Sequence, residues 1–160
     1  MGVVVTPGTG HVDMDPVGFW LFASHFHEAA SAIPLKGRFE PVRYYLFCHS
    51  IELSLKAFLL RKGVSMTVVR KRFRHDLARL LKRSNSLGLR TMARVTAAQE
   101  RELRRATGYY AGKGFEYFQF KRLIQRYAGL PDAVVLERLA TRLVDRLRRY
   151  CLSDPDGPYA

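Results

Sequence analysis

Acidic residues are scarce in this chain: 14 Asp and Glu stand against 27 Lys and Arg, a formal net charge of +13. Such a surplus points to a polyanionic partner, nucleic acid being the commonest, or to an anionic membrane surface; the alternative is a solvated Arg-rich face. Cysteine is almost missing. Cys48 and Cys151 are the whole complement and there is no C-x-x-C, so neither a disulfide framework nor a zinc cluster is indicated, and reduced cytoplasm is the natural compartment. Long hydrophobic runs are lacking too. The most apolar stretch, residues 44–60, is interrupted by His49, Glu52 and Lys56, so no segment is expected to span a membrane. The opening MGVVVTPGTGHVDMD has neither the charged start nor the long apolar centre of a signal peptide. There is no Ser-His-Asp arrangement, glycine-rich phosphate loop or H-E-x-x-H. His25 and His27 diverge by about 200° on a helix and make poor co-ligands, so no metal and no cofactor are expected.

What is present is an ordinary apolar supply: 48% of 160 residues are hydrophobic, enough for one domain with a real core. Residues 1–14 read as a flexible leader, 15–151 as a single helical domain and 152–160 as a flexible tail. Asp15-Pro16 caps and opens a helix that puts Phe19, Phe22, Phe26, Ala29 and Ala30 at core spacing. Pro41 opens the longest helix, which Gly63 closes after Arg61 and Lys62. A basic connector follows over 64–75, with room for one short helical turn. From His75, Leu77, Leu80, Leu81 and Ser84 share one face of a helix ending at Gly88. Thr96-x-x-Gln99 is a capping box for a helix with Leu103, Ala106, Tyr109 and Tyr110 as its apolar positions. Glycines and aromatics over 111–130 predict an irregular loop and a short helix or strand near 117–126. Pro131-Asp132 starts a last helix to about Tyr150, with Leu136, Leu139, Leu143, Leu147 and Tyr150 inward. Its opposite stripe, Arg138, Arg142, Arg146 and Arg149, is a solvated or dimer-rim face. The sum is an all-α, up-and-down bundle of five or six helices.

The longest helix, PVRYYLFCHSIELSLKAFLLRKG, organises the rest. Tyr44, Cys48, Ile51, Leu55 and Phe58 make one apolar stripe; Leu46, Leu53, Ala57 and Leu60 make another, nearly opposite. Between them runs a polar seam of Tyr45, His49, Glu52 and Lys56. In one reading Glu52 orients His49 or Lys56 for acid–base work. In the other, which is favoured, the seam is a satisfied buried network that locks register and faces the His75–Asp76 corner. There Asp76 caps the next helix and His75 hydrogen-bonds inward.

Three strings, HSIELSLKAFLLRKG, then HDLARLL about a dozen residues later, and FEYF, resemble the HEPN superfamily (higher eukaryotes and prokaryotes nucleotide-binding domain). The likeness is to bacterial members with an IE-x-x-x-K-A-x-L and H-D-L-x-x-L signature; it covers roughly residues 16–150 and is specific over about 44–81. It implies a helical bundle, usually homodimeric, that in many members associates with RNA, nucleotides or a nucleotidyltransferase partner, often in defence or toxin–antitoxin systems. Nuclease members cut RNA without metal through R-x(4–6)-H near the start of a late helix, but residues 114–127 here hold no histidine. Arg43 with His49, and Arg70 with His75, fit that spacing elsewhere. Six residues on a helix leave about 240° between Arg43 and His49, so as catalytic candidates they would have to meet across a dimer. The best phosphate-contacting candidates are Arg70, Lys71, Arg72 and Arg74. Lys113, Lys121, Arg122 and Arg126 follow, interleaved with aromatics that either stack bases or belong to the core. The expectation is a dimeric RNA- or nucleotide-binding protein without a competent nuclease motif. The alternatives are a metal-independent endoribonuclease using Arg43 and His49, and an interaction module partnering a nucleotidyltransferase.

Overall fold

Four of the five longest helices begin where a short polar side chain satisfies the first free backbone N–H groups. Asp15 Oδ1 accepts from Gly18 N–H at 2.6 Å, Asp76 from Arg79 at 2.9 Å, and Asp132 from Val134 and Val135 at 2.8 and 3.2 Å. Thr96 and Gln99 form the complete reciprocal box. The computed structural model describes residues 14–34, 39–116 and 129–153, together with the backbone of Val5–Thr6 and Thr9–Gly10. Its helices are α1 (Pro16–Ala32), α2 (Pro41–Arg61), α3 (Met66–Val68), α4 (Leu77–Ser86), α5 (Leu89–Met92), α6 (Ala97–Ala111) and α7 (Ala133–Leu152). A π-helical turn, Val69–Phe73, follows α3 directly. The fold is an all-α bundle; a two-residue antiparallel pairing of Val5–Thr6 with Thr9–Gly10 is the only β-bridge among the described residues. No helix among them is long and apolar enough to cross a membrane. The short element expected near 117–126 lies outside the described residues, as do most of the leader and tail.

Helix α2 sits at the centre and packs against α1, α4, α6 and α7. Phe47, Ile51, Leu55, Phe58 and Leu59 are all within 1% of full burial, each worth about 2–3 kcal/mol of apolar transfer. Phe47 belongs to neither expected apolar stripe, because the helix is enclosed on more sides than two. A correction applies to α1 as well. Phe22 is 38% exposed and Ala29 faces solvent, while Phe19, Trp20, Ala23 and Ala30 are buried. The buried face is turned toward Trp20, whose indole Nε1–H donates to the Val144 carbonyl at 2.9 Å, a partner that a buried indole requires.

Polar ties fix the helices around α2. Ser50 donates to the Ala23 carbonyl at 2.8 Å, and the Tyr44 hydroxyl to the Pro131 carbonyl at 2.9 Å. The buried Glu102 carboxylate on α6 accepts from the backbone N–H of Asp132 at 3.1 Å, docking the entry of α7. After α6 the chain turns back through Gly114, where a Cβ would meet the Tyr109 carbonyl at 3.2 Å. That turn returns Phe115 to the core, stacked against Tyr44 and Tyr109 at centroid distances of 5.3 and 5.4 Å.

Candidate functional site

The polar seam of α2 converges on one carboxylate. Glu52 is 1% exposed, yet every oxygen has a donor. Lys56, one turn along α2, donates to Oε1. The Tyr110 hydroxyl from α6 donates to Oε2 at 2.5 Å, and His75 Nδ1, from the corner before α4, lies 3.1 Å from the same oxygen. His49 Nδ1 is 2.6 Å from the Tyr110 hydroxyl and 3.9 Å from Glu52 Oε2. Burial pushes the Glu52 carboxyl up, but the His49 imidazole, the Lys56 ammonium and the Tyr110 hydroxyl outweigh it and hold the group at about 2. Glu52 is therefore ionised and accepts only.

That fixes the neighbours' protons. A neutral tyrosine has one O–H; Tyr110 gives it to Glu52, so its oxygen accepts from His49 and His49 carries its proton on Nδ1. His75 likewise donates Nδ1–H to a carboxylate that has no proton to give. Both imidazoles are locked in one tautomer with Nε2 free, and neither Nε2 has a partner among the described residues. Burial, then the negative charge of Glu52, raises the Tyr110 phenol, which stays protonated. Burial also raises the Cys48 thiol, helped by Glu52, and pushes Cys151 up to about 12 against the pull of Arg61. Both thiols are free, buried and inert.

The residues expected to form the network, His49, Glu52, Lys56 and His75, meet in space, with Asp76 alongside as the cap of α4. Tyr110 is the member that the sequence reading placed among apolar positions. A tyrosine at an apolar position signals only that its hydroxyl needs some partner once buried, not which one.

Arg43 goes elsewhere. It is buried at 4% exposure, its guanidinium sits 4.9 Å over the Phe47 ring, and Nη2 bonds Glu137 of α7 at 2.9 Å. Within one chain Arg43 and His49 are not brought together.

Arg70, Lys71 and Arg72 are exposed on the π-helical turn, anchored from below by buried Val69 and Phe73. Arg74 follows at φ 47° and ψ −112°, a conformation costly for a side-chain-bearing residue, and this sharp turn aims His75 back at Glu52. Beside the turn, a groove of about 610 Å³ between α4, α5 and α6 is flanked by Arg79, Lys82, Arg90 and Arg104. Glu100 pairs with Arg90 and Arg104 there, at 3.3 and 3.7 Å. Local sequence does not reveal that these four cations share a surface, because α4 and α6 are separated in the chain and only packing joins their outer faces.

No protein family, curated protein or solved structure matches the chain.

Lys113 is exposed after α6 with φ 58°. Lys121, Arg122 and Arg126, with the aromatics between them, lie outside the described residues. His27 Nε2 bonds the Thr141 hydroxyl at 2.8 Å, tying α1 to α7, while His25 is exposed. Among the described residues no three His, Cys, Asp or Glu side chains gather as a metal site. On α7, Arg142 is spent on the Arg94 carbonyl and Gln99 rather than held free for a ligand.

Proposed function

We propose that this chain binds RNA, or a nucleotide, through a basic surface centred on the π-helical turn. The observation that carries the reading is the presentation of Arg70, Lys71 and Arg72 as consecutive exposed cations, with Arg74 next in a strained backbone. π turns and strained φ values recur at functional sites. The cations of the α4–α6 groove lengthen this surface, and the net charge of +13 supports a polyanion over a neutral ligand. The resemblance to the HEPN superfamily supports the same reading and adds a homodimer, with a nucleotidyltransferase as a protein partner. Cleavage through Arg43 and His49 has no place in it, since Arg43 is committed to Glu137.

Retention of single-stranded RNA on the purified protein tests the reading. Binding at low salt that is lost steeply by several hundred millimolar is the expected result. No retention at low salt refutes it, and stoichiometric capture of a protein without nucleic acid favours an interaction module instead.

A further inference from the structure

We propose that the hydrogen bond from His75 to Glu52 is a latch that holds the basic turn in its RNA-binding shape. The inference rests on the reading that RNA occupies this turn, and it adds how that site is kept in place. Arg70, Lys71, Arg72 and Arg74 are exposed and have no side-chain partner among the described residues, so the backbone alone positions them. That backbone is fixed at its near end by the buried Val69 and Phe73. Its far end is a corner. The Asp76 N–H closes a four-residue turn on the Phe73 carbonyl at 2.9 Å. The second residue of that turn, Arg74, has φ 47° and ψ −112°, values that glycine takes at the first central position of a type II′ turn. A residue bearing a Cβ is strained there.

One side chain ties this corner to the core. His75, 57% exposed, gives its Nδ1–H to Glu52 Oε2 at 3.1 Å, and its ring stands edge-on to Tyr110 at 5.9 Å. The acceptor is immobile: Glu52 is buried on the central helix and is also gripped by Lys56 and Tyr110. Two opposed effects of similar size therefore meet at adjacent residues. Strain at Arg74 favours a relaxed corner by about fivefold or more, and a hydrogen bond to a buried anion opposes it by about tenfold or more. With the bond in place, the strained corner wins. Without it, Arg74 returns to negative φ, the π turn shifts with it, and its cations lose the arrangement that was ready for successive phosphates. His75 is thus a positioning residue for the phosphate site. Direct contact between its imidazole and a phosphate is the competing role, and the two predict different results.

The test measures the affinity of the full chain for a short mixed-sequence single-stranded RNA over a range of salt. His75→Ala should bind about three- to tenfold more weakly, with the slope of log K against log salt unchanged, because no phosphate contact is lost. His75→Asn keeps an N–H donor at the place of Nδ1 without the rest of the imidazole, and should recover the affinity to within about twofold. In an Arg74→Gly background, where the corner carries no strain, His75→Ala should cost less than about twofold. Hydrogen exchange without RNA reads the latch directly. The amides of residues 69–76 should exchange about tenfold faster in His75→Ala and at the native rate in His75→Asn. Equal losses of affinity in the alanine and asparagine variants, with the slope flattened by about 0.7, would place the imidazole on a phosphate and overturn the latch. Unchanged exchange in His75→Ala overturns it whatever the affinities. RNA bound equally well by the unaltered protein and His75→Ala overturns the latch alone; RNA bound by neither overturns the binding reading as well.

Discussion

Replacing Glu52 by Gln removes the anion on which four side chains converge while keeping the shape of the site. The magnitude follows from the carboxyl's displacement from 4.5 to about 2. At 1.36 kcal/mol for each unit, the ionised form favours the folded state by about 3 kcal/mol. The sign is that of a depressed acid. Above about pH 4.5 folded and unfolded chains are both ionised and the stabilisation is fully present. Below that, the unfolded chain takes up a proton that the folded chain refuses until about pH 2, and the advantage drains away between the two values. Glu52→Gln mimics the protonated state and strands the Lys56 ammonium, which is 10% exposed. Urea unfolding of both proteins should therefore show a gap of about 3 kcal/mol at pH 7, or about 6–12 °C in Tm. The gap should close as the pH approaches 2. Adding Lys56→Met should recover most of the loss, since it removes the uncompensated charge. A gap that is the same at pH 7 and near pH 2, or one under about 1 kcal/mol at pH 7, would refute the reasoning.

Two further substitutions separate structure from binding. Arg43→Ala should cost about 2–3 kcal/mol in urea unfolding, because Glu137 loses its partner and Phe47 its guanidinium cover, while RNA affinity is unchanged. Arg43→Met should cost under about 1 kcal/mol, since Nε and Nη1 of the buried Arg43 have no partner among the described residues and their desolvation is then avoided. Arg74→Gly should raise stability by about 1 kcal/mol by relieving φ 47°, and Arg74→Ala should not; thermal melts distinguish them. Equal effects of the glycine and alanine variants would show that no strain is stored there.

The fold was legible where helix starts have local causes. Asp15-Pro16, Asp76, Thr96-x-x-Gln99 and Asp132 each carry their own capping chemistry, and the leucines of α7 repeat at helical spacing. The rotation of α1 was not, because two aromatic faces compete for the core and only the distant Val144 carbonyl decides for Trp20. The π turn was invisible because an inserted residue in a helix has no side-chain signature; the run Arg70-Lys71-Arg72 shows charge but not geometry. In the site, His49, Glu52 and Lys56 were legible as a seam from their spacing on one helix. That His75 joins them was anticipated as a corner, whereas the role of Tyr110 depends on α6 crossing beside α2, which local sequence does not encode. The groove cations depend on the same crossing.

The central claim, that the π-helical turn holds phosphates, is tested most directly by the salt dependence of single-stranded RNA affinity. The comparison is between the protein and a variant carrying Arg70→Gln, Lys71→Gln and Arg72→Gln. Each phosphate contact on a single strand contributes about 0.7 to the slope of log K against log salt, so losing three should flatten it by about 2. A slope unchanged by the triple substitution would contradict the account.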